Sequence, residues 1–212
     1  DTNALTIGAV GAQTVSNATF AATSGVTTTG TGTDILIQTG GAQTLTTNLN
    51  ANTANNVRLA SGAGISQTAG TINYRDTNAL TIGAVGTQTV SNATFAATSG
   101  VSTTGTGTDI LIQTGGAQTL TTNVNANTSN NVRLASGAGI SQTAGTITAN
   151  LLGLTAAGTI DVTSTTNDAA TLAATTSAGT INYRDTNALT IGAVGAQTVS
   201  NATFAATSGV TT

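Results

Sequence analysis

Residues 110–116 read ILIQTGG, residues 132–142 read VRLASGAGISQ, and residues 151–162 read LLGLTAAGTIDV. In each, a short segment alternates apolar and polar side chains and a glycine-containing break ends it. Alternation over a few residues is the signature of a strand with one face buried. Thr, Val and Ile favour extended backbone through their branched Cβ, and the helix formers Glu, Lys and Met are absent. Helical repeat arrays are therefore disfavoured.

Working outward, such segments recur along the whole chain. Cutting before each gives coils that begin at Ala4, Ile35, Val57, Ala79, Ile110, Val132, Leu151 and Ala170, before ALTIGAV resumes at Ala188. A coil of about 20 residues is too short for a propeller blade and lacks the helix of most leucine-rich repeats. The spacing predicts an all-β parallel β-helix or β-solenoid with coils of about 18–31 residues. At the usual strand spacing of about 4.8 Å, eight such coils would make a rod on the order of 40 Å long.

The repeats are also longer than one coil. DTNALTIGAV starts at Asp1, Asp76 and Asp185. Residues 1–75 form a repeat unit, and residues 76–184 form a second that carries an insert, Thr148 to Ile181. Between the two units Ala12 becomes Thr87, Thr27 becomes Ser102, Leu49 becomes Val124 and Ala54 becomes Ser129. Residues 185–212 then match residues 1–28 without a difference. The expectation is one continuous repetitive solenoid over 1–212, with one super-repeat at 1–184, the start of the next at 185–212, and the whole a fragment of a longer chain.

Stacking predicts which residues fill the core. Leu5, Ile7, Ile35, Ile37, Val57, Leu59, Ile65 and Ile72 are the expected inward positions, each lying over an equivalent in the next coil. Such a narrow core needs no large rings, which fits 2% aromatic residues. Glycine supplies the corners. The absence of proline suits strands paired on both edges, and Asn runs such as NLNANTANN at 48–56 suit turns whose amides ladder from coil to coil.

The composition excludes several functions. The chain has 4 Lys+Arg, all Arg, against 7 Asp+Glu, all Asp, for a net charge of −3, and about a quarter of it is Thr. No basic stripe exists to neutralise phosphates, so nucleic acid is not an expected partner. Without His or Cys there is no imidazole base, thiolate nucleophile or ordinary zinc site. Missing cysteines leave the redox compartment open. With 38% hydrophobic residues, 5% charged residues and a mean hydropathy of +0.17, the chain does not have the composition of a disordered one. The longest apolar runs are short, so no transmembrane segment is expected, and no signal peptide is visible.

Candidate chemistry is sparse. Asp161 and Asp168, in the insert, are the pair to weigh as a general acid and base; the plainer reading makes them turn and capping residues. No GGxGxD calcium repeat occurs, and two oxygen ligands from one coil fall short of the six to eight that calcium takes. No cofactor or metal is expected. Arg58 and Arg133 alternate with inward residues in VRLAS and are expected to point outward, in a solvated ion pair or a hydrogen bond to a neighbouring turn. Arg75 and Arg184 precede Asp76 and Asp185 in NYRD. Tyr74, Tyr183, Phe20, Phe95 and Phe204 are read as padding of the solenoid rather than sugar-stacking platforms. An ice-binding Thr rank would need the same outward pair in every coil, and LTI, LIQ, RLA and TLA differ.

Asn17, Asn92 and Asn201 lie in N-x-[ST] sequons within SNATF, and Asn127 lies in another. SNATF falls where the longest coils must bulge from a core that takes about 20 residues per coil. Glycosylation and a lateral contact loop both remain open for these positions.

The stretch Ser136 to Val194, through ISQTAGTI, LTAAGTIDV, ND followed by ATLAATT, and DTNALTIGAV, resembles the repeat regions of filamentous-haemagglutinin-like exoproteins of two-partner secretion. That resemblance implies a right-handed parallel β-helix shaft, export through an outer-membrane partner, and a place on the bacterial surface in adhesion, biofilm or cell contact. The function expected is thus a non-enzymatic shaft of an extracellular filament or adhesin. Its partners would be other copies of itself and host or neighbouring cell surfaces or glycans. The alternatives are a fibre subunit that polymerises end to end through open solenoid edges and, more distantly, a β-helix polysaccharide-active enzyme.

Overall fold

In the computed structural model, residues 72–90, 93–103, 105–199 and 202–212 are described, together with the segments 3–10, 13–15, 18–20, 23–24, 26–28, 35–41, 43–45, 49–51, 57–61 and 65–67. Every element among them is a strand, and parallel sheets stack as a β-solenoid of about four turns. The chain divides into two compact units. One comprises Asp1–Ala69 and Thr87–Ala96, the other Gly70–Gly86 and Ala97–Thr212.

The second unit shows how alternation becomes a coil. Its first face stacks Ile72–Asp76, Ile110–Thr114, Val132–Ser136, Ile147–Ala156 and Asp168–Thr176 in parallel. Ile72, Ile110, Val132, Leu152 and Leu172 fall in one register row, and Ile191 of Thr190–Ile191 extends it. A second face stacks Leu80–Ile82, Gln118–Leu120, Ile140–Gln142, Ile160–Val162 and Ile181–Tyr183. The third face is shorter, with Val101–Ser102 on Val124–Asn125, and the latter on the start of Ile147–Ala156.

Because successive residues of a strand point to opposite sides, each face sends one set of side chains into the lumen. Ile110, Ile112, Val132, Leu134, Leu152 and Leu154 come from the first face; Leu120, Ile140 and Ile160 from the second; and Val124, Ile147 and Ala169 from the third. All are buried in one cluster. Fully burying a side chain of the Val, Leu or Ile type contributes about 1.5–3 kcal/mol, so each coil adds several such contributions to its neighbour without any large ring.

The corners use hydroxyls. Thr39 Oγ1 donates to Gly41 O and Thr114 Oγ1 to Gly116 O, both at 2.7 Å, while Ser136 Oγ lies 2.9 Å from Gly116 O and 3.0 Å from Gly139 O. Thr176 repeats the contact, its Oγ1 2.7 Å from Ala178 O. These side chains are buried, and their short hydroxyls satisfy carbonyls that turn out of the ladder. Part of the high Thr content is thus structural. One corner requires glycine outright: Gly145 has φ +80°, and a Cβ there would strike the backbone carbonyl carbon of Thr122.

The first unit follows the same plan where it is described. Ile35–Thr39 pairs with Val57–Ser61 at the same offset as Ile110 with Val132, and Leu5–Ile7 and Ile65–Gln67 flank Gln43–Leu45. Of the expected core set, Ile7 and Ile35 are buried, and Leu5, Ile37, Leu59 and Ile72 are partly buried. Val57 and Ile65 are placed as strand backbone, and their side chains lie outside the described residues. Partners differ from simple like-on-like stacking: Leu5 and Ile65 both register with Gln43, not with an apolar residue.

Not every pairing is parallel. Each of the longest coils sheds its excess as an antiparallel ribbon, in which Ala9–Val10 pairs with Thr23–Ser24 and Gln13–Val15 with Ala18–Phe20. The same ribbon recurs at 84–99 and at 193–208. Only two residues separate QTV from ATF in the sequence, a spacing that favours a hairpin, and the two segments give it matched strands.

Candidate functional site

The third ribbon, residues 193–208, lies on the outer side of the first face. There the outward row runs Leu111, Arg133, Gly153, Ala173 by register, with Gln113, Ala135, Thr155 and Thr175 in the adjacent row. Phe204, 5% exposed, packs on Leu111, 0% exposed, and on Ala135. This pair forms a small apolar cluster separate from the lumen. Val194 Cγ1 comes to 3.3 Å from the position a Cβ would take on Gly153, so glycine there gives the ribbon clearance.

Polar contacts fix the ribbon laterally. Gln197 Nε2 donates to Asp109 Oδ2 at 3.1 Å, Arg133 Nη1 to Ala205 O at 3.3 Å, and Thr155 Oγ1 meets Thr207 Oγ1 at 3.3 Å. Asp109 is itself held by Asn131, whose backbone N donates to Oδ1 at 2.8 Å. A cavity of about 190 Å³ remains under the ribbon, lined by Gln113, Arg133 and Thr155 from the sheet and by Thr203, Phe204 and Thr207 from the ribbon.

Arg133 points outward and bonds to a neighbouring segment, Ala205 of the ribbon, one of the two roles expected for it. It leaves the sheet on the outward side, yet it is 6% exposed because the ribbon covers it. Its Nε is buried without a hydrogen-bond partner, and desolvation holds its pKa below the usual arginine value, opposed by the charge of Asp109. Arg58, its counterpart in the first repeat, lies outside the residues whose side chains are described.

The remaining sequence candidates are dispersed. Asp161 Oδ1 accepts from Asn182 Nδ2 at 3.5 Å and Asp168 Oδ1 from Asn187 Nδ2 at 3.0 Å, each on a different face of the coil. Among the described residues no three His, Cys, Asp or Glu side chains are grouped to hold a metal ion. Tyr183 Oη donates to Asp185 Oδ2 at 2.7 Å, and Tyr74 Oη to Asp76 Oδ2 at 3.2 Å, so NYRD forms the same local bridge twice. Burial pushes both phenols above the normal tyrosine pKa, with the neighbouring aspartate adding to the shift.

Asn17, Asn92 and Asn201 lie outside the described residues. Asn127 sits in a turn with φ 55°, its backbone N bonded to Asn125 Oδ1 at 2.8 Å and its Oδ1 accepting from Ser129 N at 2.7 Å. Its amide nitrogen makes a long contact, 3.5 Å, to Gly105 O.

Sequence reasoning missed the internal amides, among them Gln118 and Asn167. Gln118 is fully buried, and its Nε2 donates to Ala135 O at 2.7 Å. Asn167, also fully buried, exchanges amide hydrogen bonds with Gln142 at 2.8 and 2.9 Å, accepts from Ile147 N at 2.9 Å and donates to Arg184 O at 3.3 Å. It ties three successive coils at one corner. A signal was present: AQTL places a polar residue in register with the apolar lumen row of the second face, and TTND places one near the end of a coil. The outward Leu111 had a signal too, since ILI is apolar without a gap, which marks a strand covered on both sides.

No protein family, curated protein or solved structure matches the chain significantly.

Proposed function

We propose that this chain is a segment of a non-enzymatic structural shaft, in an extracellular bacterial filament or adhesin of the filamentous-haemagglutinin-like kind. The observation that carries this reading is the unbroken register row Ile72, Ile110, Val132, Leu152, Leu172, Ile191, in which an apolar residue of one coil always meets an apolar residue of the next. Such a row has no intrinsic end. Residues 1–72 and 76–147 differ only at the four positions named above, so the solenoid is of a kind that can be lengthened by copying. Continuous parallel ladders then carry load along the axis, and sparse charge leaves the surface to hydroxyls and amides. The haemagglutinin-like assignment and the surface location rest on the motif resemblance in residues 136–194.

The test is direct. Native material should run far above 20.4 kDa on a denaturing gel. It should appear filamentous under negative stain, with an axial reflection at about 4.8 Å in aligned samples. A ladder of small monomers from a filamentous sample would instead favour subunits that add edge to edge. Compact particles without axial order would overturn both readings.

A further inference from the structure

The cavity beneath the ribbon is built from a dip in the sheet. On the outward side of the first face Gly153 is in register with Arg133, and Ala135 with Gln113, so two long polar side chains border two of the smallest residues. The ribbon roofs this dip with Thr203, Phe204 and Thr207. Thr155 and Thr203 are exposed, so the space opens to solvent on their side. Gly153 and Thr155 lie in the insert, which residues 1–75 lack, and the cavity is therefore completed by residues particular to the second repeat.

Two side chains of its wall carry an atom that finds no partner among the described residues. Arg133 Nη1 donates to Ala205 O, itself part of the lining, which holds the guanidinium against the cavity, and Nε of the same group is buried and unpaired. Gln113 Oε1 is likewise buried and unpaired. Buried polar atoms are costly to leave so, and in folded proteins most are satisfied. The two make opposite demands, because a guanidinium N–H only donates and an amide oxygen only accepts. A hydroxyl meets both. A carboxylate or phosphate would set one more acceptor against Gln113 Oε1 and a second negative charge near Asp109, whose own charge already acts on Arg133. An ammonium group would be repelled by Arg133.

Size narrows the ligand further. A cavity of about 150 Å³ takes a benzene ring, so the 190 Å³ here admits one six-membered ring. It falls short of the roughly 300 Å³ at which pockets for drug-sized ligands begin. Phe204 and Ala135 give the space an apolar side, while Arg133, Gln113 and the threonine hydroxyls give it a polar one. We propose that this cavity binds a single neutral polyhydroxylated ring, a cyclitol or one sugar residue, whose hydroxyls accept from Arg133 Nε and donate to Gln113 Oε1. The inference is independent of the shaft reading, since one chain presents the whole site.

The test uses the full 212-residue chain and saturation-transfer NMR with myo-inositol, glucose, galactose and mannose as probes. At least one should receive saturation and titrate with a Kd on the order of 1–10 mM, as befits a small ligand held by a few hydrogen bonds. Arg133→Met and Gln113→Leu should each weaken that probe at least about tenfold. Arg133→Lys, which keeps the charge but loses the Nε donor, should weaken it as much as Arg133→Met does. If Q113L loses its strand circular dichroism, Thr155→Val, which removes a hydroxyl at the mouth, serves in its place. The methyl glycoside of the bound hexose separates two sources of the ring. Retained affinity assigns the site to a residue within a glycan, and binding of myo-inositol alone assigns it to a free polyol. Absence of saturation in all four probes would overturn the proposal. So would a Kd untouched by R133M and Q113L, because the ring would then sit elsewhere on the hydroxyl-rich surface. Displacement of the probe by acetate or phosphate, or full binding by R133K, would make this a site for anions instead. Ordered water alone beside Arg133 Nε in crystals grown with the probe would equally refute the assignment.

Discussion

The two sides of the first face are built by different rules. Inward, Ile110, Val132, Leu152 and Leu172 repeat one kind of side chain, because each must pack on its own equivalent one coil away. Outward, the neighbouring row is Leu111, Arg133, Gly153 and Ala173, four residues with nothing in common except that a ribbon lies across them. A lumen with translational symmetry demands repetition. A surface that receives one particular ribbon demands a profile: a ledge at Leu111 for Phe204 and a flat place at Gly153 for Val194.

The contrast is sharpest in the cost of substitution. Leu134→Ala removes a lumen side chain that is 1% exposed and sits between coils on both sides. A loss of about 2–5 kcal/mol is expected, felt by the whole of the second unit, since the cavity touches both adjacent coils. Denaturant titration with circular dichroism should show a lowered midpoint for a single transition. A change confined to local hydrogen exchange would mean that the lumen is not one cooperative unit.

Gly153→Val probes the outer side of the same strand. A Cβ at this position already stands 3.3 Å from Val194 Cγ1, and the added methyl groups push the ribbon away. Overpacking of this sort costs about 1–3 kcal/mol, and here it is confined to the contact. Amides of residues 197–204 should exchange faster, while those of 110–114 and 132–136 keep their protection. Equal loss of protection in the lumen strands would erase the distinction between the two sides.

Much of the inner rule was legible from sequence, and little of the outer one. Alternation in VRLAS, GISQ and GTIDV is a direct record of stacking, and a lumen filled by stacked equivalents has little room for aromatic mass. The ribbon left only indirect traces, a coil that is too long and an ILI run without a polar gap. Its receptor residues are dissimilar by necessity, so no period reveals them. Coil phase was harder still. TINYRDTNALTIGAVG occurs at 71–86 and again at 180–195, identical in sequence. In the first occurrence Ile72 pairs on the first face and Leu80 on the second; in the second occurrence Ile181 pairs on the second face and Ile191 on the first. Short alternating strands with interchangeable Leu, Ile and Thr specify a side but not a partner. The length of the preceding coils decides which face the segment meets.

That segment offers a third comparison of inside and outside. Tyr183 packs against the lumen cluster, whereas Tyr74 is 43% exposed, although both donate to the aspartate two residues on. Burial and the aspartate favour the neutral phenol, so the folded pKa lies above the unfolded value of about 10. The stabilisation is therefore complete below about pH 10 and is lost as the pH rises further, when the unfolded chain releases a proton that the folded one retains. Thermal melts between about pH 8 and 11 should fall steeply above about pH 10. Tyr183→Phe should flatten that fall more than Tyr74→Phe does, because Tyr183 is the more enclosed. An equal response from the two would mean that exposure does not matter to this bridge.

The smallest effect belongs to Arg133, and it bears most directly on what the outer side is for. Its guanidinium is covered by the ribbon and bonded to Ala205 O, while Nε finds no partner and desolvation opposes its charge. A buried cation with incomplete hydrogen bonding contributes little net stability, and a well-packed apolar replacement of similar volume is often neutral or stabilising. Arg133→Met should thus leave the denaturation midpoint unchanged or raise it slightly, by no more than about 1 kcal/mol. What it should change is ribbon placement. Without the bond to Ala205 O, nothing at that point distinguishes one position of Phe204 along the face from its neighbours, and exchange at residues 202–208 should become heterogeneous. A clear loss of stability would instead make Arg133 a structural prop, its bond to the ribbon outweighing the cost of burying the charge.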